Sequence, residues 1–162
     1  MATEHKAQKF VIQLKCLDET VTLAQRLAVN AKCGDIIGLT GELGIGKTEF
    51  ARAFIRARLG ATDVPSPTFT LVQVYEGKTP IWHFDLYRIA KAIEIFELGI
   101  EEAFDNGISV IEWPEKMLDY CPREWLRLIL VRGKSEHSRE ATFEANGDRA
   151  VELAKRSLML SD

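Results

Sequence analysis

Apolar positions along the chain follow two periods in turn, and the change from one to the other predicts the order of strands and helices. Residues 10–17 alternate between apolar and polar side chains, which predicts a half-buried strand. Asp18 is the expected N-cap of a helix that follows. Apolar residues in that helix recur at intervals of three and four: Leu23, Ala24, Leu27, Ala28 and Ala31.

The same two periods continue to the end of the chain. A buried strand is predicted at 35–39 and a helix at 49–59. The later elements are a hairpin with strands 70–75 and 81–84, a helix at 93–104 broken near Gly99, a strand at 108–111, a hairpin with strands 125–132 and 139–145, and a helix at 148–160. Strands that alternate with helices predict an α/β fold, and the hairpins add antiparallel pairing, so we expect a mixed sheet flanked by helices. The length of 162 residues predicts a single domain, 1–162.

A glycine-rich segment lies between the strand at 35–39 and the helix at 49–59. Residues Gly41–Thr48 match the phosphate-loop pattern Gly-x4-Gly-Lys-Ser/Thr. Glycines in such a loop let backbone N–H groups turn inward at a helix N-terminus, where they bind anions. Lys47 would then reach the β- and γ-phosphates, and the Thr48 hydroxyl would coordinate Mg²⁺. The alternative, a glycine turn with an unrelated lysine, does not explain the strand–loop–helix setting.

Two acids follow apolar strands and are candidates for the metal and the attacking water. Asp85 follows the strand at 81–84, and Glu112 follows the strand at 108–111. An acid at the end of an apolar strand is the usual second Mg²⁺ anchor in nucleoside-triphosphate enzymes. Asp85 could instead cap a turn, and Glu112 could be a loop carboxylate beside Trp113. The metal and water roles could also be exchanged between the two acids.

Three further polar residues have a functional and a structural interpretation. Ser66 and Thr68 lie in a proline-stiffened loop after the phosphate-loop helix, where a hydroxyl can sense a γ-phosphate or can simply satisfy a turn. Arg139 is in phase with the apolar row of the strand 139–145. A guanidinium at that position needs an anion, such as a nucleotide, or must extend to solvent from the strand end.

Composition narrows the class of protein further. The net charge of −3 gives no general attraction for nucleic acid, so contact with RNA would be local or indirect. No apolar run approaches the ~20 residues of a membrane span, and no signal peptide is evident, so we expect a cytoplasmic protein. The absence of an Asn/Thr-Lys-x-Asp segment favours ATP over GTP. The three cysteines are widely spaced and predict neither disulfides nor a zinc site: Cys16, Cys33 and Cys121.

Five blocks of sequence, in order and at fitting distances, resemble the TsaE (YjeE) family of small bacterial P-loop ATPases. The resemblance covers most of the chain, from about Glu19 to the region after Arg139. Only the phosphate loop is specific by itself, whereas the set is highly specific. The blocks are Gly41–Thr48, Ser66–Leu71, His83–Arg88, Glu97–Gly99 and Glu112–Glu115.

The resemblance implies a P-loop NTPase-like fold and slow, Mg²⁺-dependent ATP hydrolysis in support of N6-threonylcarbamoyladenosine modification of tRNA. It implies TsaB and TsaD as protein partners, with tRNA contacted indirectly through the complex, and a monomer or weak oligomer when the chain is by itself. The implied catalytic residues are Lys47, Asp85 and Glu112, and the implied metal ligands are Thr48, Asp85 and Glu112. The implied nucleotide contacts are Glu19, Gly44, Ile45, Gly46, Lys47, Thr48, Glu49 and Arg139. The implied switch residues are Ser66, Thr68 and Trp113.

Two positions in or beside the loop depart from the family pattern. Glu49 stands where the family more often has threonine, and Ile45 replaces a small alanine. A carboxylate near the α-phosphate could weaken nucleotide affinity, although a helix N-terminus favours an acid. These departures concern affinity and rate.

Two other functions fit a phosphate loop. A small-molecule kinase would need an acceptor pocket and usually an arginine-bearing lid, and the sequence indicates neither. A nucleotide-dependent scaffold would need occupancy of the loop without turnover.

Overall fold

The computed structural model describes residues 6–60 and 63–159 of the chain. Its strands are β1 Gln8–Leu14, β2 Ile36–Thr40, β3 Val72–Tyr75, β4 Ile81–Asp85, β5 Ile108–Glu112, β6 Trp125–Arg132 and β7 Arg139–Asn146. Its α-helices are α1 Leu17–Asn30, α2 Lys47–Leu59, α3 Ile100–Asn106 and α4 Asp148–Ser157. Two 3₁₀ helices occupy Ala92–Leu98 and Pro114–Tyr120.

All seven strands belong to one mixed sheet, in the order β1-β7-β6-β2-β5-β4-β3. The centre is parallel, because β2 pairs with both β5 and β6, and β4 pairs with β5 in the same direction. The flanks are antiparallel, through β3 with β4 on one side and β7 with β6 and β1 on the other. The predicted mixed α/β sheet and both predicted hairpins are therefore confirmed.

Apolar side chains cover both faces of the sheet. Ile37 and Leu39 of β2 pack in a large cluster with the buried sides of α1, α2 and α4. Ile36, one residue out of phase, packs in a second cluster with Phe84 and Ile111. Successive side chains of a strand point to opposite faces, so the two clusters lie on opposite sides of the sheet. This burial on both faces explains why the central strands are short continuous apolar runs.

Two local predictions need correction or completion. Asp18 is not the N-cap of α1, because the helix begins at Leu17 with Cys16 as N-cap and no side-chain cap. The Glu19 carboxylate accepts the N–H of Lys15, the residue before that N-cap, at 2.6 Å. The predicted break near Gly99 is confirmed, but the segment before it is a 3₁₀ helix.

The first strand and the last helix also differ from their predicted limits. The strand predicted at 10–17 is shifted toward the N-terminus, and α4 ends at Ser157. Leu160, the predicted end of that helix, lies outside the described residues. None of the helices in residues 6–60 and 63–159 has the length and apolar character needed to cross a bilayer.

Candidate nucleotide site

The glycine-rich loop joins the carboxyl end of β2 to the first turn of α2. Gly46 is the residue immediately before α2 and adopts a left-handed conformation, with φ of 116°, which residues other than glycine rarely adopt. Gly41 meets a spatial limit as well, because a Cβ there would lie 2.7 Å from the Leu130 carbonyl oxygen. The loop therefore needs glycine at these positions, and it leaves backbone N–H groups unpaired at a helix N-terminus.

Lys47 is the first residue of α2, and its ammonium group is held inside the loop. Nζ donates hydrogen bonds to the carbonyl oxygens of Gly41 at 2.6 Å and Glu42 at 2.8 Å. Nζ also lies 4.2 Å from the centre of the Trp113 ring, a cation–π contact. Burial lowers the pKa of Lys47 from its usual value, while nearby acids, Glu112 foremost, oppose that shift. The cation is thus held by dipoles and an aromatic face.

The two predicted acids lie side by side at the carboxyl edge of the sheet. Asp85 ends β4 and Glu112 ends β5, and the two residues are register partners in this parallel pair. Their exposed fractions are 6% and 2%. Asp85 accepts the Tyr87 N–H at 3.0 Å and the Thr68 hydroxyl at 3.3 Å. The two acids therefore lie near the loop as predicted, but as the last residues of their strands rather than after them.

Glu112 connects the acid pair to the phosphate loop. Its Oε1 accepts the Thr48 hydroxyl at 2.7 Å, and its Oε2 lies 2.7 Å from Nε2 of His83. No lysine or arginine within residues 6–60 and 63–159 forms a salt bridge with Asp85 or Glu112. Two buried carboxylates therefore share one edge with no direct cationic partner among the described side chains, which is costly unless a cation binds.

A cleft of about 430 Å³ opens over the loop and the acids. It is lined by nine of the predicted residues: Gly44, Gly46, Lys47, Thr48, Glu49, Thr68, Asp85, Glu112 and Trp113. Leu43, Tyr87 and Arg88 complete the lining and were not predicted as site residues. Tyr87 and Arg88 belong to the same His83–Arg88 block as Asp85, so their nearness to that acid was the available signal.

Four predicted residues lie outside the lining of this cleft. Ser66 reaches it only through Thr68, since the two hydroxyl oxygens are 2.7 Å apart. Ile45 is buried, and Glu19 is occupied by the Lys15 N–H. Their part in nucleotide binding, like that of Arg139, stays a prediction.

Arg139 does not extend to solvent, which was one of the two alternatives that its position in the strand suggested. It is 8% exposed, and its guanidinium donates to backbone carbonyl oxygens. Nε donates to Ile45 at 3.0 Å, and Nη1 donates to Glu136 at 2.6 Å and Ser138 at 2.8 Å. Carbonyl oxygens can satisfy a guanidinium, an option that the alternation of side chains along β7 does not reveal. Arg139 therefore ties β7 to the backbone of the phosphate loop.

The donor atoms in the cleft suit a hard divalent cation. Thr48 supplies a hydroxyl, and Asp85 and Glu112 supply carboxylates, all of them oxygen ligands of the kind that Mg²⁺ takes. Within the described part of the chain, no group of three or more His, Cys, Asp and Glu could hold a metal by itself. That sparse set fits Mg²⁺, which usually binds one or two carboxylates together with substrate phosphates and water.

The parallel central strands, the glycine loop at a helix N-terminus and the acid pair at the carboxyl ends of the strands together define a P-loop NTPase-like α/β protein. A sequence model of the family described as threonylcarbamoyl adenosine biosynthesis protein TsaE matches residues 14–141. The chain belongs to the TsaE family.

Individual relatives agree with this assignment. The chain is 38% identical over 135 residues to the tRNA threonylcarbamoyladenosine biosynthesis protein TsaE of Bacillus subtilis, covering 82% of this chain and 83% of that protein. It is 45% identical over 117 residues to the protein of the same name in Rickettsia bellii, covering 70% and 80%. The crystal structure of Bacillus subtilis YdiB superposes with a TM-score of 0.78 at 30% identity, covering 96% of this chain and 98% of that one.

Proposed function

We propose that this chain binds and slowly hydrolyses Mg²⁺–ATP in the cytoplasm, in support of N6-threonylcarbamoyladenosine modification of tRNA. The observation that carries the proposal is the meeting of Lys47 and Thr48 with Asp85 and Glu112 in one cleft. The names of the relatives supply the pathway, since they are called tRNA threonylcarbamoyladenosine biosynthesis proteins. TsaB and TsaD are the proposed protein partners.

The loop supports the phosphate-binding part of the proposal. Its backbone N–H groups at the start of α2 form an anion site, and the helix dipole adds to it. Lys47 is held on the carbonyl oxygens of Gly41 and Glu42, next to that anion site. Its three ammonium protons can turn toward phosphate oxygens with little loss, because carbonyl acceptors are weaker partners than phosphate.

The acid pair supports the metal-binding part. Thr48, Asp85 and Glu112 would hold Mg²⁺, which when bound neutralises phosphate charge as an electrophile. Glu112 already accepts the Thr48 hydroxyl, so the loop and the strand end are joined before any ligand enters. Asp85 is fixed by the Tyr87 N–H, and the remaining carboxylate positions can orient water.

The segment 64–68, which carries the Ser66 and Thr68 hydroxyls, supports a response to nucleotide. Thr68 donates to Asp85, and Arg52 of α2 donates to the Val64 carbonyl at 2.9 Å, so the segment is attached to the site and to the phosphate-loop helix. A phosphate that changes the partners of Asp85 or Thr68 would therefore change this segment, as in nucleotide switches. Such a segment is a suitable signal to a partner protein.

Reconstitution tests the proposal. TsaB, TsaD, the threonylcarbamoyl donor and tRNA are incubated with ATP, with or without this chain, and modified tRNA is counted over several turnovers. We expect the chain to raise modification and Lys47→Ala to remove that gain. Equal modification without the chain, or with Lys47→Ala, contradicts the proposal. Transfer of phosphate from ATP to a metabolite rather than to water would indicate a kinase instead.

A further inference from the structure

His83 is a titratable residue inside the protein that the proposed chemistry does not use. It lies on β4 two residues before Asp85, so the two side chains point to the same face of the sheet. The imidazole is fully buried, and Nε2 lies 2.7 Å from Oε2 of Glu112. Nδ1 is also buried and has no hydrogen-bond partner among the described residues.

The unpaired nitrogen indicates how the proton is placed on the ring. A neutral imidazole has one N–H donor and one acceptor nitrogen. A buried N–H without a partner is rarer in proteins than a buried acceptor without one. The arrangement that leaves no orphaned N–H has the proton on Nε2, so His83 donates it to Glu112. The tautomer is thus assigned from the hydrogen-bond pattern.

This donation divides the two oxygens of Glu112 between two partners. Oε2 is held by His83, within the fully buried part of the sheet, and Oε1 accepts the Thr48 hydroxyl at the edge of the cleft. We propose that His83 is a positioning residue, which fixes Glu112 so that only Oε1 is presented to Mg²⁺–ATP. The inference rests on the proposed function, since it concerns how the acid meets its ligand.

A neighbouring buried polar residue serves as the matched comparison. Ser109 on β5 is fully buried, and its hydroxyl also lacks a hydrogen-bond partner among the described residues. Unlike His83, it therefore has no hydrogen bond to Glu112. Ser109→Ala removes an unpaired polar group and leaves the acid pair unchanged. Any effect that is specific to the hydrogen bond on Glu112 should therefore appear at His83 and not at Ser109.

The experiment compares His83→Met, His83→Gln and Ser109→Ala in the full chain. Met fills the space without a donor, whereas the Gln amide nitrogen extends about as far as Nε2 and can donate to Glu112. ATP affinity is measured by calorimetry with and without Mg²⁺, and phosphate release is measured at saturating ATP. For His83→Met we expect the gain in ATP affinity that Mg²⁺ gives to be about tenfold smaller, and kcat to be about tenfold lower. The ATP affinity measured without Mg²⁺ should stay within about twofold of that of the original chain. His83→Gln should recover most of both losses, and Ser109→Ala should match the original chain.

Two results would overturn the inference. One is a His83→Met protein with an unchanged Mg²⁺-dependent gain and kcat. The other is a His83→Gln protein that is as impaired as His83→Met, which would mean that the shape of the ring matters and its hydrogen bond to Glu112 does not. If His83→Met does not fold, His83→Asn replaces it, because this amide is one methylene too short to reach Glu112.

The proposed function is checked in the same titrations. ATP binding by the original chain that Lys47→Ala abolishes supports the site, whatever the His83 variants do. An original chain that does not bind ATP contradicts the proposed function itself.

Discussion

Buried carboxylates lie at both ends of the central strands, and the partners of these carboxylates differ between the two ends. At the amino end, Asp35 precedes β2 and receives two hydrogen bonds from Arg149 of α4, at 3.0 and 2.8 Å. It also accepts the Lys32 N–H at 2.7 Å. At the carboxyl end, Asp85 and Glu112 are equally buried but have only hydroxyl, imidazole and backbone N–H partners among the described residues.

The difference separates charge that serves folding from charge that serves binding. Arg149 forms an ion pair with Asp35, and the hydrogen bond that Arg149 donates to Asp35 raises the pKa of Arg149 above its usual value. Asp85 and Glu112 are adjacent, of like charge and without an ion pair to any described lysine or arginine, although Lys47 lies in the same cleft. A cation that binds between the two acids would therefore be favoured. An acid pair of this kind in a cleft is the better indicator of a functional site.

The largest expected effect comes from neutralising an acid at the carboxyl end. Glu112→Gln keeps the shape of the side chain but removes its charge, so phosphate release should fall by about 10²–10³-fold. The free energy of unfolding should stay the same or rise, because like-charge repulsion with Asp85 is relieved. Phosphate-release assays and urea unfolding measure the two quantities. A Glu112→Gln variant that unfolds easily but hydrolyses ATP normally would mean that Glu112 serves folding rather than binding, which contradicts the comparison.

The corresponding change at the amino end should affect stability instead. Arg149→Ala leaves the Asp35 carboxylate buried without its cation and removes a hydrogen bond to the Asn30 carbonyl. We expect the free energy of unfolding to fall by about 2–3 kcal/mol, a value reduced for the partial exposure of Arg149. ATP affinity should be unchanged. Arg156→Ala is the control, because its ion pair with Glu152 is exposed and exposed pairs contribute little.

Ligand binding should stabilise the protein through the carboxyl end. Mg²⁺–ATP at ten times its Kd should raise the free energy of unfolding by about 1.4 kcal/mol. Arg149→Ala should gain the same increment from its lower starting point, since its change is at the opposite end of the strands. Lys47→Ala should gain none. Thermal unfolding at fixed ATP, with and without Mg²⁺, measures this, and an equal gain in Lys47→Ala would place the ligand elsewhere.

The smallest effect concerns the thiol of Cys121, the residue that follows the 3₁₀ helix Pro114–Tyr120. Cys121 Sγ lies 3.6 Å from the Pro114 carbonyl oxygen, and burial raises the pKa of this thiol above its usual value. A raised pKa lowers the fraction of reactive thiolate at a given pH. Cys121 should therefore be alkylated by iodoacetamide more slowly than the exposed Cys16 and Cys33. Peptide mass spectrometry over a time course at pH 8 measures the three rates, and equal rates would contradict this prediction.

The sequence was informative where local pattern and tertiary structure agree. The glycine loop, the short apolar strands and both hairpins follow from spacing and turn residues, so they were predicted. The sequence also placed Asp85 and Glu112 at strand ends, because an acid after an apolar run is a local pattern.

The sequence was uninformative where partners come from distant segments. Arg139 contacts the Ile45 carbonyl across 94 positions, and Arg149 contacts Asp35 across 114. No local period encodes such pairs, and for Arg139 the side-chain phase did not reveal that backbone oxygens accept from its guanidinium. The Asp18 prediction was wrong for a different and local reason, since α1 already begins at Leu17 with Cys16 as its N-cap.

The most direct test of the account is the ATP affinity of the full chain as a function of Mg²⁺ concentration, measured by calorimetry beside Lys47→Ala. We predict that the original chain binds ATP and that Mg²⁺ tightens the binding. We also predict that Lys47→Ala does not bind ATP, whether Mg²⁺ is present or absent. ATP binding that is indifferent to Mg²⁺, or that survives in Lys47→Ala, would contradict the claim that the acid pair and the phosphate loop form one nucleotide site.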